Sequence, residues 1–420
     1  MSAERSGPST APGARTAAAV LLPFAAAYAL SFLFRSVNAV IAPDLVRRFA
    51  LTPSQLGLLT SAYFLSFAAF QLPLGLLLDR YGPRRTDATL VLIAALGALV
   101  FAVAPNAAVL IGGRALIGLG VSGCLMSGIK ANVLWFPLAR LPVMNGWMFF
   151  AGGLGLVLAT LPVELLLQAI DWRRLFFALA LLTMLSGLTV LRVVPERTEH
   201  TPRETFSAQL AGLRSVYAAR RFWQLGLAAL TSQATSMAVQ GLWSGPWLRD
   251  VAGLGRQGVA AHLLLMALAT MAGFLLWGNV ASWVARRGVP GARVFALGMW
   301  MFLVVQALLV FGAPVAPALI WIGFGVFGTA GSLSYAVLSW EFPRRLAGRV
   351  TTALNALVFG WAFVVQWTIG GIIELWPVVD GRYHADGYRA AFGVFLAVQA
   401  LAFGWMLLDG WRLRRAHATR

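Results

Sequence analysis

The sequence predicts an all-α polytopic membrane protein whose twelve transmembrane helices form two pseudo-symmetric six-helix bundles. Three observations carry this. Of 420 residues, 59% are hydrophobic and 11% charged, and a mean hydropathy of +0.77 is too apolar for a soluble globule of this length. Apolar runs of about 20 residues, the length a helix needs to cross a bilayer, recur twelve times. The two halves also echo each other about 205 residues apart, the internal symmetry of duplicated transporter folds.

Residues 1–15 are polar and rich in Pro, Ser and Ala, which predicts a disordered cytoplasmic tail. The apolar segment that follows is longer than a signal core and lacks a clear cleavage box. The first bundle, 16–192, holds runs at 17–43, 54–78, 86–104, 108–135, 143–168 and 173–192. Residues 193–220 form the one long polar connection, read as a cytoplasmic linker, with Arg197, Arg203 and Arg214 beside Glu196, Glu199 and Glu204. The second bundle, 221–409, holds runs at 221–248, 259–284, 292–312, 317–340, 349–376 and 388–409, and 410–420 is a second cytoplasmic tail. The echo is clearest in spans four and ten, where Gly118, Gly120 and Gly123 recur as Gly323, Gly325 and Gly328. It continues past them, where Trp135, Pro137 and Arg140 recur as Glu341, Pro343 and Arg344.

A net charge of +18 comes from 32 arginines and one lysine, Lys130, against 15 acids. The arginines cluster between apolar runs, where they orient the chain in the membrane; they do not form the basic face a nucleic acid needs. With the N-terminus inside, 22 arginines, among them Arg286, Arg287, Arg344, Arg345, Arg412, Arg414 and Arg415, fall on the inner side and eight on the outer. Both termini are therefore expected in the cytoplasm and the protein in the cell's inner membrane. The lone Cys124 allows no intramolecular disulfide. The sequence holds no phosphate-binding loop and no cluster with metal-ligand spacing, so neither cofactor nor metal is expected, and an enzymatic role is not.

The loop after span two reads Gly75-Leu-Leu-Leu-Asp79-Arg80-Tyr-Gly82-Pro-Arg84-Arg85. Its glycines permit a tight turn and close helix approach, and an acid among arginines can build a charge network at the inner mouth. This segment resembles the cytoplasmic signature of the major facilitator superfamily. The stretch Gly113-Arg114-Ala-Leu-Ile-Gly118-Leu-Gly120 resembles that family's second signature. The duplicate of the first, Gly278 to Gly288, keeps Arg286 and Arg287 but has Ser282 in the aspartate's place. The resemblance covers essentially the whole chain and implies a secondary transporter working by alternating access. It implies that Asp79 helps to latch the two halves, and that Gly75, Arg80, Gly82, Arg84, Arg85, Arg114 and Gly118 serve the gate and scaffold. It names no substrate.

Span one carries Tyr28, Ser31, Arg35 and Asn38 on one helical face. Arg35 lies too far from either end of its run to snorkel easily, and a guanidinium binds carboxylate or phosphate through paired hydrogen bonds. The alternative is a packing arginine satisfied by carbonyls. The segment Phe34 to Pro43 resembles the first span of anion-carrying branches of the family, where an arginine at that place contacts the substrate. By the repeat, Arg35 falls close to Gln240 in span seven, where Gln233, Ser236, Trp243, Ser244 and Trp247 share its face. Trp243 and Trp247 fit a cavity wall and a packed core equally. Span seven has no second arginine, which favours a small or singly charged anion over a phosphate ester. Lys130 fits two roles, a cation lining the inner path or a lysine snorkelling to the interface.

Arg35, Arg114 and Lys130 are the deepest charges and no buried acid is expected to partner them. Asp44, Glu164, Glu374 and Asp409 fall near span ends, and His262 reads as a solvated or packed residue. The expected function is transport of a small organic or inorganic anion held by Arg35, Tyr28, Asn38, Gln240, Gln233, Trp243 and Lys130. The alternatives are a proton-driven exporter of lipophilic or cationic compounds and a non-transporting receptor on the same fold. The expected partners are the substrate and the bilayer, with no nucleic acid, and a monomer is expected.

Overall fold

The computed structural model describes residues 14–197, 206–343 and 346–418, with the side chains of 206–209, 347 and 409–418 outside it. The tail 1–13, Arg203, Glu199, Glu204, Arg344 and Arg345 lie outside the described residues, as do the side chains of Asp409, Arg412, Arg414 and Arg415. Among the described residues, ten helical stretches are each long and apolar enough to cross a membrane. One of them, the 51-residue Pro53–Val103, is about 75 Å of helix and crosses twice. The interrupted helix through 220–250, more polar than the others, supplies the twelfth crossing.

The first half runs α1 (Ala14–Ser36), α2 (Asn38–Phe49), α3 (Pro53–Val103), α4 (Ala107–Val121), α5 (Cys124–Trp135), α6 (Leu141–Leu158), α7 (Leu161–Leu167) and α8 (Trp172–Val193). Polar side chains start three of these rods. A capping box pairs Thr52 with Gln55, and Asn106 and Asp171 accept from the backbone amides of Val109 and Arg174. Within α3 the chain reverses at Gly82, whose φ of 74° suits a residue without Cβ. The two limbs of α3 are thus spans two and three.

In the connection read as a polar linker the structure places a helix, α9 (Phe206–Ala218). It lies on the second half, where the Tyr217 hydroxyl donates to the Ala353 carbonyl at 3.1 Å. The second half continues with α10 (Arg220–Ala238), α11 (Ser244–Asp250), α12 (Arg256–Ala285), α13 (Gly291–Phe311), α14 (Pro317–Gly328), α15 (Leu333–Trp340), α16 (Ala347–Ile373) and α17 (Ala385–Ala418).

Spans one, four, seven and ten are each broken, and these breaks match between the halves. Span one is interrupted at Val37 and span seven by a π-turn at Val239–Trp243; span four breaks at Ser122 and Gly123, and span ten by a 3₁₀ turn at Thr329–Ser332. Interrupted helices in corresponding places of two repeats are the mark of a mid-membrane binding site.

At the end away from Asp79, charges tie the halves together. Arg256, opening α12, donates to both oxygens of Asp44 at 3.0 Å and to both of Glu164 at 2.9 and 3.2 Å. Glu374 accepts from the Thr52 hydroxyl at 3.2 Å and the Ser54 amide at 3.1 Å. Beneath them spans one and seven touch, and a Cβ on Gly370 would come within 3.1 Å of the Ser54 Cα where spans two and eleven cross.

Candidate functional site

Arg35 closes the first part of span one, one residue before α1 ends. It is half-buried, its guanidinium carbon sits 3.9 Å from the Phe32 ring centroid, and Tyr28 and Tyr63 are its titratable neighbours. Among the described residues it makes no salt bridge and no hydrogen bond. The turn that follows it is held from span four, where the buried Arg114 donates to the Phe34 carbonyl at 2.8 Å and lies over the Tyr63 ring. A cation on the last carbonyls of a helix is favourable. Arg114 thereby fixes the backbone that presents Arg35.

Span seven meets span one at this level. A Cβ on Gly241 would stand 3.4 Å from the Arg35 carbonyl, so the π-turn of span seven crosses span one at Arg35. Gln240 is half-buried and donates to the Thr270 hydroxyl at 2.8 Å. Gln233, two turns away on the same rod, donates to Ser334 at 3.3 Å. Tyr28 is buried at 7% exposure and meets the Phe32 ring edge-on.

Two expected site residues are placed elsewhere. Asn38 has 0% exposure and donates to the Thr60 hydroxyl at 2.9 Å, inside the seam between spans one and two. Trp243 is also at 0%, and its ring nitrogen donates to the Gln366 carbonyl at 3.0 Å. Both share a helical face with Arg35 or Gln240 in the sequence, but each is taken up by a partner on a neighbouring span, Asn38 by Thr60 and Trp243 by the Gln366 carbonyl. Neither presents surface to a ligand in this conformation.

Other polar residues join the interior. Tyr63 donates to the Ser31 carbonyl at 3.3 Å. The Tyr335 hydroxyl donates to Asn355 at 3.1 Å, and Asn355 donates to Gln71 at 3.0 Å, which carries a polar chain from the second half into the first. Tyr63, Tyr335 and Asn355 have hydroxyl residues at helical spacing, among them Ser66, Ser339 and Thr351, but no charged residue within a turn marks any of the four. Only their position in spans two, ten and eleven could have singled them out.

Residues 24–366 match the Major Facilitator Superfamily model. The chain belongs to that superfamily. A probable sulfoacetate transporter of Cupriavidus necator is 24% identical over 404 residues, 89% of this chain and 90% of the relative. A gentisate transporter of Corynebacterium glutamicum is 26% identical over 408 residues, 91% and 85% of the two chains. The same fold occurs in an inward-facing, unoccupied bacterial homologue of the human lysosomal transporter Spinster, with a TM-score of 0.76 at 17% identity over 94% of this chain and 97% of that one.

In this major facilitator protein the first signature forms a network inside the first half. Asp79 receives the Lys130 ammonium at 2.5 Å, and the Leu78 carbonyl receives it at 3.0 Å. Arg84 and Arg85 reach Glu196 at 3.5 and 2.7 Å, and Arg84 also donates to the Leu191 carbonyl. Arg80 lies over Tyr81. Gly75 stands one turn before Asp79 on the same limb. A Cβ on Gly118 would meet the Tyr63 Cα at 2.7 Å, so that glycine lets spans two and four cross closely.

Two expectations about charge are corrected. Lys130 has an acid partner, because α5 packs along the signature limb of α3. Buried acids do exist: Asp87 is at 0% exposure and Glu164 at 4%, and the Asp250 side chain is at 0%, held by Arg249 at 2.6 Å and by the Tyr388 hydroxyl at 2.7 Å. His262 is a packed residue, bonded through Nδ1 to the Gly258 carbonyl at 2.8 Å.

Proposed function

We propose that this transporter carries a small organic anion, bound at mid-depth by the Arg35 guanidinium with Gln240 and the Tyr28 hydroxyl orienting it. The carrying observation is that Arg35 is half-buried, flanked by Tyr28, Tyr63 and Phe32, and left without an acid or a hydrogen-bond acceptor among the described residues. A guanidinium in a low-dielectric interior holds paired acceptors strongly, and a carboxylate or sulfonate supplies them.

Two relatives that span most of the chain support the same chemistry, since sulfoacetate and gentisate are both anions. The charged ties at the Asp44 end and the arginine count of the loops support a state closed to the outside. The cycle then alternates by rocking the halves about the site. Lys130 drops out of the binding set, because Asp79 engages it. Uptake of labelled gentisate and sulfoacetate into proteoliposomes tests the reading, and an Arg35→Ala protein that transports either anion at the wild-type rate would sink it.

A further inference from the structure

One buried acid has no part in the site above. Asp87 lies one turn past Pro83 on the second limb of α3, at 0% exposure. Ser127 and Cys124 of α5 are the side chains that face it, yet neither carboxyl oxygen closes a hydrogen bond, and the Ser127 hydroxyl is likewise unpartnered. Among the described residues Cys124 is the titratable group facing Asp87 from α5, and no charged side chain faces it from α8 or from the first limb of α3. A bare carboxylate in a dry interior is costly unless paired. Here a donor hydroxyl and a carboxyl group share the buried seam between α3 and α5.

We propose that Asp87 is a proton-binding site linked to the transport cycle. A proton taken from water on one side of the membrane forms the carboxyl O–H bond, which donates to Oγ of Ser127; when the site next meets water the same bond breaks and the proton leaves. Three oxygens and a thiol are too few ligands to replace the hydration shell of a metal cation, and a proton needs only one acceptor. The link to transport is mechanical. The half-helix α5 is jointed at Ser122 and Gly123 and rests on α3 at two acids, Asp87 near its start and Asp79 near its end. Lys130 stands one turn along α5 from Ser127, so a change in how Ser127 holds Asp87 passes along one half-helix to the Lys130–Asp79 pair.

This inference rests on the transport fold and does not depend on Arg35 or on which anion is carried, so its test uses no substrate. In the infrared spectrum of purified protein near neutral pH, the wild type should show a protonated-carboxyl carbonyl band that Asp87→Asn lacks and that Ser127→Ala shifts. In parallel, a cysteine placed at Ala39, in the closed seam at the Asp44 end, reports the opening of that end. Its labelling rate should change at least about three-fold between pH values of about 5.5 and 8 in the wild type, and stay level in Asp87→Asn. An Asp87→Asn spectrum identical to the wild type across that range would overturn the site. Unchanged pH dependence of labelling in Asp87→Asn would overturn the link.

Discussion

The ammonium of Lys130 lies 2.5 Å from Oδ1 of Asp79 and joins the jointed inner half of span four to the signature limb of span two. Both side chains are partly exposed, at 28% and 41%, so the pair alone contributes about 0–1 kcal/mol to stability. Lys130→Met should therefore lower the melting temperature by no more than about 4 °C. Its transport rate should fall as far as that of Asp79→Asn, and the double variant should be no worse than either single one. Additive losses in a double-mutant cycle would show that the two act separately.

Arg35 is expected to act through its charge and its fork of donors. Arg35→Lys should bind the transported anion at least about ten-fold more weakly, and Arg35→Ala about thirty- to one-hundred-fold, the loss of a charge-assisted pair of about 2–3 kcal/mol. Neither change should lower the melting temperature by more than about 4 °C, because the side chain abandons no ion pair or hydrogen bond and only its stacking on Phe32. Affinity measured by ligand-induced thermal shift separates the two effects.

Asn38 should behave in the opposite way. Its amide is buried against Thr60, so Asn38→Leu leaves that hydroxyl unpaired and should cost about 1–3 kcal/mol of stability. Substrate KM should change less than about two-fold. A large rise in KM with an unchanged melting temperature would place Asn38 in the binding site.

Arg256 bridges the halves through Asp44 and Glu164. Arg256→Gln leaves Glu164 without a cation and Asp44 with Arg47 alone, on its own half, and should favour opening at that end. A cysteine at Ala39 should then react several-fold faster, and high salt should reproduce part of the effect in the wild type, since the arginine is 43% exposed. Equal reactivity in the variant and the wild type would remove this network from the closed state.

Much of the fold was legible because the apolar runs have the period and length of spanning helices and because Gly82 and the arginine-rich turn recur where a duplicated transporter needs them. Arg35 was legible too, as a charge too deep to snorkel. What the sequence concealed depends on partners far along the chain. Asn38 and Trp243 are drawn into packed seams by Thr60 in span two and the Gln366 carbonyl in span eleven, partners that the helical face they share with Arg35 and Gln240 does not reveal. Lys130 and Asp79 are 51 residues apart and meet only because spans two and four cross at Gly118. Asp87 was hidden by lying at the edge of its run, where one residue's error in the boundary decides whether an acid is solvated or buried.

The unpartnered Arg35 has an electrical consequence. In the proposed cycle a fixed positive charge faces first one side of the membrane and then the other, and each elementary charge moved through the full field is worth about 2.3 kcal/mol per 100 mV. A bound monoanion cancels that charge. It is then the return of the empty carrier, and not the loaded step, that the membrane voltage would speed or slow.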